Sequence, residues 1–142
     1  MSASSRLWII LAALAGASGV AFGAYTAHGL GFIAAPEARE AARATLQSAV
    51  HYQLLHALAL LAVGLWSAAR PRERWPQLAG LLFTLGIALF SGLIYWHTLS
   101  GATALRFLVP WGGTCFILGW LALIPAALRA SGPAALASRP GL

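Results

Sequence analysis

The chain has 142 residues, a length that fits one domain, and 60% of them are hydrophobic whereas 8% are charged. Several apolar runs of about 20 residues are each long enough to cross a hydrocarbon layer about 30 Å thick as a helix, which excludes a soluble globular class and makes this an integral membrane protein. The net charge of +6 comes from nine basic residues, all arginine, placed singly or in one short cluster. With no basic face, membrane orientation accounts for them and a nucleic-acid partner is not expected.

Residues 1–130 read as a single transmembrane domain, an all-α bundle of four membrane-crossing helices. The first follows Arg6 and spans roughly 7–27. It reads as a retained helix: its apolar run is long for a signal peptide, and Ala12, Gly16, Gly19 and Gly23 form a small-residue stripe that admits another helix closely. After His28, Gly29 closes the helix. Pro36 then opens a short interfacial helix over roughly 36–46, with Glu37 in its first turn, where the helix dipole favours negative charge. Glu37 and Glu40 balance Arg39 and Arg43, and Glu40 can pair with Arg43 three residues on.

The second crossing, roughly 49–69, is polar in its first half, with Gln47 just ahead of it and then His51, Gln53 and His56, and turns wholly apolar afterwards. Arg70, Arg72 and Arg74, interrupted by Pro71 and followed by Pro76, make a basic turn that cannot continue the helix. A third crossing spans roughly 77–99 and ends in Tyr95, Trp96 and His97, and most of the tryptophans read as interface anchors. The fourth runs over roughly 108–128, where Gly112 and Gly113 suggest a close helix contact. The single cysteine, Cys115, lies in this apolar run; it reads as a packing residue and forms no intrachain disulfide or thiol pair. The Gly-, Pro- and Ser-containing residues 131–142 read as a disordered tail.

Four crossings bring His28, His51, His56 and His97 to one face of the membrane, together with Gln47, Gln53, Tyr25, Tyr52 and Tyr95. Polar groups in a crossing helix are costly in lipid and face the bundle interior or a water-filled cavity. His51 and His56 are five apart, roughly 140° around the axis, so they are not the i, i+4 pair that a metal would share. Gln53 and His56 share a face, as do Tyr52 and His56. The expected site is therefore His28, Gln53 and His56, pointing into the bundle toward helix 1, followed by His51, His97 and Tyr52. Three uses are open to it: an interhelical hydrogen-bond network, a ligand, metal or haem site with neutral imidazole as ligand, or a proton-handling site. The last is least supported, because no Asp or Glu lies within a crossing. Ser91, Ser100 and Thr114 read as packing hydroxyls, since no intramembrane carboxylate could orient a histidine beside them. No enzymatic constellation is found, and no cofactor is expected.

The segments AFGAYTAHGL (21–30), TLQSAVHYQLLHALALLAVGL (45–65), LFSGLIYWHTL (89–99) and VPWGGTCFILGWLAL (109–123), taken in order, resemble the YgdD-like family, domain-of-unknown-function family 423. Its members are small four-helix inner-membrane proteins with a mitochondrial transmembrane relative. The family elements AHGL, YQxxHALAL, FSG and PxGG correspond to Ala27–Leu30, Tyr52–Leu60, Phe90–Gly92 and Pro110–Gly113. Tyr25 and Thr26 intervene between the usual glycine-alanine run and AHGL, which bears on the rotation of His28, while His51 and His97 are not motif positions. The resemblance implies a four-helix topology and a bacterial inner-membrane location, and it brings no activity, substrate or catalytic residue.

The function these observations favour is a small structural or interaction subunit of a membrane complex. Its partners are then the lipid bilayer and a second copy or larger membrane assembly. The alternative is a small-molecule, metal or haem-binding bundle, or a minor transporter, using the histidine layer. The terminal segments and second loop hold Arg6, Arg70, Arg72, Arg74, Arg129 and Arg139, against Arg39, Arg43 and Arg106 in the other loops, which places both termini in the cytoplasm. A reporter fused to the C-terminus is accordingly expected to be active in the cytoplasm; activity confined to the periplasm would reverse the assignment.

Overall fold

The computed structural model describes residues 1–130, so the expected disordered tail, 131–142, lies outside the described residues. The helices are α1 (Ala3–His28), α2 (Pro36–Ala69), α3 (Arg74–Gly86), α4 (Leu93–Ser100) and α5 (Val109–Ala130). A π-helical turn over Ile87–Gly92 joins α3 to α4 without a break, so the five make four helices long and apolar enough to cross a membrane. Among the described residues there is no strand.

Local chemistry sets the ends of these helices. The Ser2 hydroxyl accepts the Ser5 N–H at 3.1 Å and caps α1, which closes where the Gly29 N–H reaches the Tyr25 carbonyl at 2.6 Å. A 3₁₀ turn, Leu30–Phe32, leads to Pro36 at the start of α2. The guanidinium of Arg39 donates twice to the Ile33 carbonyl, at 2.9 and 2.6 Å, and so ties this connection to α2. Arg39 thus serves a backbone acceptor, while Arg43 meets Glu40 at 3.3 Å. Between α4 and α5, Gly101 takes φ of 72°, a left-handed value that a side chain would resist.

The separate interfacial helix expected over 36–46 is instead the beginning of α2, a single helix of 34 residues. Between Pro36 and Gly64 there is neither proline nor glycine, and this alanine-rich segment has strong helix propensity, so nothing interrupts the backbone hydrogen bonds. At about 1.5 Å per residue, this length exceeds an apolar layer of roughly 30 Å, and the polar first turns extend beyond it.

Packing follows from where glycine lets helices approach. A Cβ on Gly64 would come within 2.6 Å of Ile9 Cγ1 and 3.2 Å of the Ile9 nitrogen, so α1 and α2 touch closely there. Gly19 lies against Leu54 and Gly23 against Val50, whereas a Cβ on Gly16 would meet nothing within 4 Å. The glycine stripe of α1 is therefore split between the α2 contact and an open face. On α5, Gly112 sits directly on the backbone of Leu89 and Phe90, but Gly113 likewise meets nothing. The expected packing role of Gly16 and Gly113 is not seen among the described residues, because each faces an open groove beside α2 and not a close helix contact.

Two buried clusters fill the bundle. Trp8, Leu60, Val63, Phe83 and Phe116 lie in the first, and Leu30, Leu46, Ala49 and Tyr95 form the second, toward the α1–α2 connection. Tyr95 stacks on Phe22 at 3.9 Å between ring centroids. Trp8 is buried in this core, its indole N–H donating to Gln77 Oε1 at 2.6 Å, so it is a packing residue and not an interface anchor. Gly64→Ala is expected to destabilise the folded bundle by about 1–3 kcal/mol through overpacking. Gly16→Ala should be neutral or stabilising by up to about 1 kcal/mol from helix propensity. Unfolding of both variants in the same detergent measures the difference.

Candidate functional site

The polar half of α2 divides between two neighbours. Gln53, 4% exposed, sends its amide nitrogen to the Ala15 carbonyl and the Ser18 hydroxyl of α1, each at 2.8 Å. His56, 2% exposed, faces α5: its ring stacks on Phe116 with centroids 3.6 Å apart, and Trp120 Nε1 donates to His56 Nε2 at 3.2 Å. A three-residue step on a helix turns about 60° short of a full circle. That offset is enough to aim two side chains of one broad face at different helices.

The contacts of His56 decide its chemistry. Its Nδ1 lies 2.7 Å from the Tyr52 carbonyl. A carbonyl only accepts and an indole N–H only donates, so Nδ1 carries the proton, Nε2 presents its lone pair to Trp120, and the imidazole is neutral. Both ring nitrogens are engaged, and no lone pair is left for a metal while Trp120 holds this position.

Of the other expected members Tyr52 joins it, its ring stacked on that of His56 with centroids 6.1 Å apart, whereas His28, His51 and His97 do not. His28 ends α1 as an exposed side chain, in the last turn, where a basic group suits the helix dipole. Its expected position beside Gln53 and His56 is corrected: Gln53 meets Ala15 and Ser18, and His28 lies at least ten residues further along α1, about 15 Å or more along the axis. His51 is exposed, as the angular separation from His56 requires. Tyr52 is 41% exposed and rests against Phe90, with centroids 4.9 Å apart. His97 Nδ1 lies 2.8 Å from the Ala102 carbonyl and holds the α4–α5 turn. Among the described residues, no three His, Cys, Asp or Glu side chains are grouped so as to hold a metal.

Three further polar contacts escaped sequence reasoning. Ser91, fully buried in the π-helical turn, donates to the Ala49 carbonyl of α2 at 2.9 Å. Gln77 links Trp8 to Ser67, accepting the indole N–H and donating to the Ser67 hydroxyl at 3.0 Å. The tryptophans read mostly as interface anchors, yet the Trp120 N–H points inward to His56. An aromatic-rich sequence signals burial or interface equally, and helix rotation decides between them. Among the described residues, the Tyr95 hydroxyl and Arg43 Nε are the buried side-chain polar atoms that have no partner.

Beside His56 lies a groove of about 440 Å³ between α2 and α5, lined by Tyr52, Phe90, Phe116, Ile117 and Trp120 among others. At the end of the bundle carrying the α4–α5 turn, a wider groove of about 600 Å³ is lined by Thr45, Ile94, His97, Thr98 and Arg106 with their neighbours. Replacing His56 by alanine removes a stacked ring and leaves the Trp120 N–H without an acceptor. That change is expected to cost about 2–4 kcal/mol. Gln53→Leu should cost about 0.6–1.7 kcal/mol, the range for interhelical polar contacts in membranes. Unfolding midpoints in detergent check the order, and added Zn²⁺ is expected to leave the unmutated midpoint unchanged.

Residues 22–113 match the family model described as a protein of unknown function, DUF423. A UPF0382 membrane protein of Staphylococcus epidermidis is 36% identical over 128 residues, 89% of this chain and 99% of the relative. A UPF0382 membrane protein of Haemophilus influenzae is 37% identical over 116 residues, covering 82% and 89%. The UPF0382 inner membrane protein YgdD of Escherichia coli K12 is 31% identical over 126 residues, covering 89% and 92%. No solved structure matches the chain. With its four spans and a relative named for the inner membrane, the chain is a multi-pass inner-membrane protein and belongs to the DUF423 family of membrane proteins of unknown function.

Proposed function

We propose that this protein is an interaction subunit of the inner membrane, acting through its lateral surface on a second copy or a larger membrane complex and carrying out no catalytic step of its own. The observation that carries this reading is the state of its buried polar side chains. Ser5, Thr26, Gln53, His56, Ser67 and Ser91 each take part in a hydrogen bond within the chain. Each is engaged within the fold, which favours a structural use of these groups over a reacting group or a resident ligand. The tautomer of His56 makes the same point at the residue best suited to chemistry.

The surface supports the reading too. Leu14 and Val20 on α1 and Ile117 and Leu128 on α5 are each more than 60% exposed. Between α1 and α2 runs a wholly apolar groove of about 390 Å³, walled by Ile9, Leu54, Leu58 and Leu61 and floored by Ala12, Ala13 and Gly16. Small residues there would let a partner helix approach the backbone. In this orientation both termini are cytoplasmic, as the arginine distribution favours.

A second reading has one observation in its favour. The aromatic groove beside His56 has a volume within the usual range for small-molecule sites. On that reading the bundle holds a small apolar molecule, with His56 and Trp120 as its polar wall. Gentle purification from the native membrane, with mass spectrometry of proteins and small molecules and with elemental analysis, separates the two. The interaction reading expects a co-purifying membrane protein or a homo-oligomer, no stoichiometric metal or chromophore, and loss of association in Gly16→Leu but not in His56→Ala. A stoichiometric small molecule that His56→Ala removes would replace it with the second reading.

A further inference from the structure

The end of the bundle that carries the N-terminus gathers arginine from two separate parts of the chain. Arg72 and Arg74 come from the α2–α3 turn and the start of α3, and Arg129 from the last turn of α5. They line one depression of about 250 Å³ together with Glu73 and Trp75. The chain has three acidic residues, and Glu73 is the one at this end. Its carboxylate is already committed: Oε1 accepts from Arg70 at 3.1 Å and Oε2 from Trp66 Nε1 at 3.0 Å. Among the described residues, no carboxylate thus pairs with the three guanidinium groups of the depression, Glu73 being paired with Arg70.

Arg129 is also held in place. Its guanidinium carbon lies 5.6 Å from the centre of the Trp75 ring. A cation over an aromatic face is fixed by the ring quadrupole, yet its N–H donors lie in the guanidinium plane and stay available to an acceptor. Such an arrangement is suited to an oxyanion that accepts several hydrogen bonds at once, as a phosphate does.

Position identifies the source of that phosphate. The depression sits where the spans end, α2 at Ala69 and α5 at Ala130, and where α3 begins at Arg74. Leu78, one turn beyond Arg74, and Leu121, two turns before Arg129, are 41% and 53% exposed, so apolar side chains continue from the charged end along the lipid-facing sides of α3 and α5. Headgroup charge above and acyl-compatible surface below are the two halves of a phospholipid. We propose that Arg72, Arg74 and Arg129 form a binding site for the phosphate of an anionic phospholipid, with Trp75 as its floor.

The test compares lipids that differ only in headgroup charge. The full chain, purified in a mild detergent, is mixed with phosphatidylglycerol or phosphatidylcholine of identical acyl chains, and retained lipid is read by native mass spectrometry. The expected result is preferential retention of phosphatidylglycerol, reduced roughly tenfold or more in Arg72→Gln/Arg74→Gln/Arg129→Gln and kept in Arg106→Gln, with inorganic phosphate unable to displace the lipid. If the triple variant does not fold, Arg72→Gln and Arg129→Gln alone decide, each lowering retention about fivefold. Equal retention of the two lipids, variants that hold phosphatidylglycerol as the unmutated chain does, or an equal loss in Arg106→Gln would overturn the proposal. So would displacement by inorganic phosphate, which would mark a site for a soluble anion.

Discussion

A hydrogen-bonding group inside a membrane bundle has no water to fall back on, and much of this structure follows from how that constraint is met. Gln53, His56 and Ser91 join α2 to three different parts of the fold: α1 through Ala15 and Ser18, α5 through Trp120, and the π-helical turn through the Ala49 carbonyl. Helix α2 is thus the central element, and its polar half fastens the neighbours. Helix packing in lipid lacks the hydrophobic driving force available in water, so close van der Waals contact at glycine and a few polar cross-links must set the arrangement.

The π-helical turn belongs to this scheme. One extra residue per turn shifts the register of α4 relative to α3, and such turns often mark functional positions in helices. Here Ser91 reaches α2 from this turn, while the backbone at Leu89 and Phe90 lies against Gly112 of α5. Elements that are distant in sequence, FSG, PxGG and YQxxHALAL, therefore meet at one level of the bundle, with Tyr52, Phe90 and Phe116 in mutual ring contact. The family's recurring segments read physically as the parts of one helix junction.

The two ends of the bundle differ in how they use charge. Toward the α1–α2 connection, Arg39 is absorbed by the Ile33 carbonyl and Arg43 by Glu40. At the other end, Glu73 takes Arg70 and Trp66, while Arg72, Arg74 and Arg129 face a common depression beside Trp75. Arg39, Arg43 and Arg70 thus hold parts of the fold, while Arg106 lines the groove at one end and Arg72, Arg74 and Arg129 the depression at the other. That division stands beside a bundle interior in which Gln53, His56, Ser67 and Ser91 are each hydrogen-bonded within the chain.

By itself the sequence determined the class, the four spans and the family, because length, hydropathy and motif order along the chain answer those questions without reference to any neighbour. Its angular arithmetic also separated His51 from His56. The continuity of α2 from Pro36 could have been read there too, since no helix breaker lies between the interfacial turns and the span. What only the tertiary structure decided was rotation and partnership. Whether Gly16 packs or opens on a groove, and whether Trp8 and Trp120 anchor or hydrogen-bond, depend on how each helix turns about its axis, and whether His28 meets His56 depends on how far α1 slides along α2. That rotation is set jointly by every contact the helix makes, and no local stretch of residues encodes it.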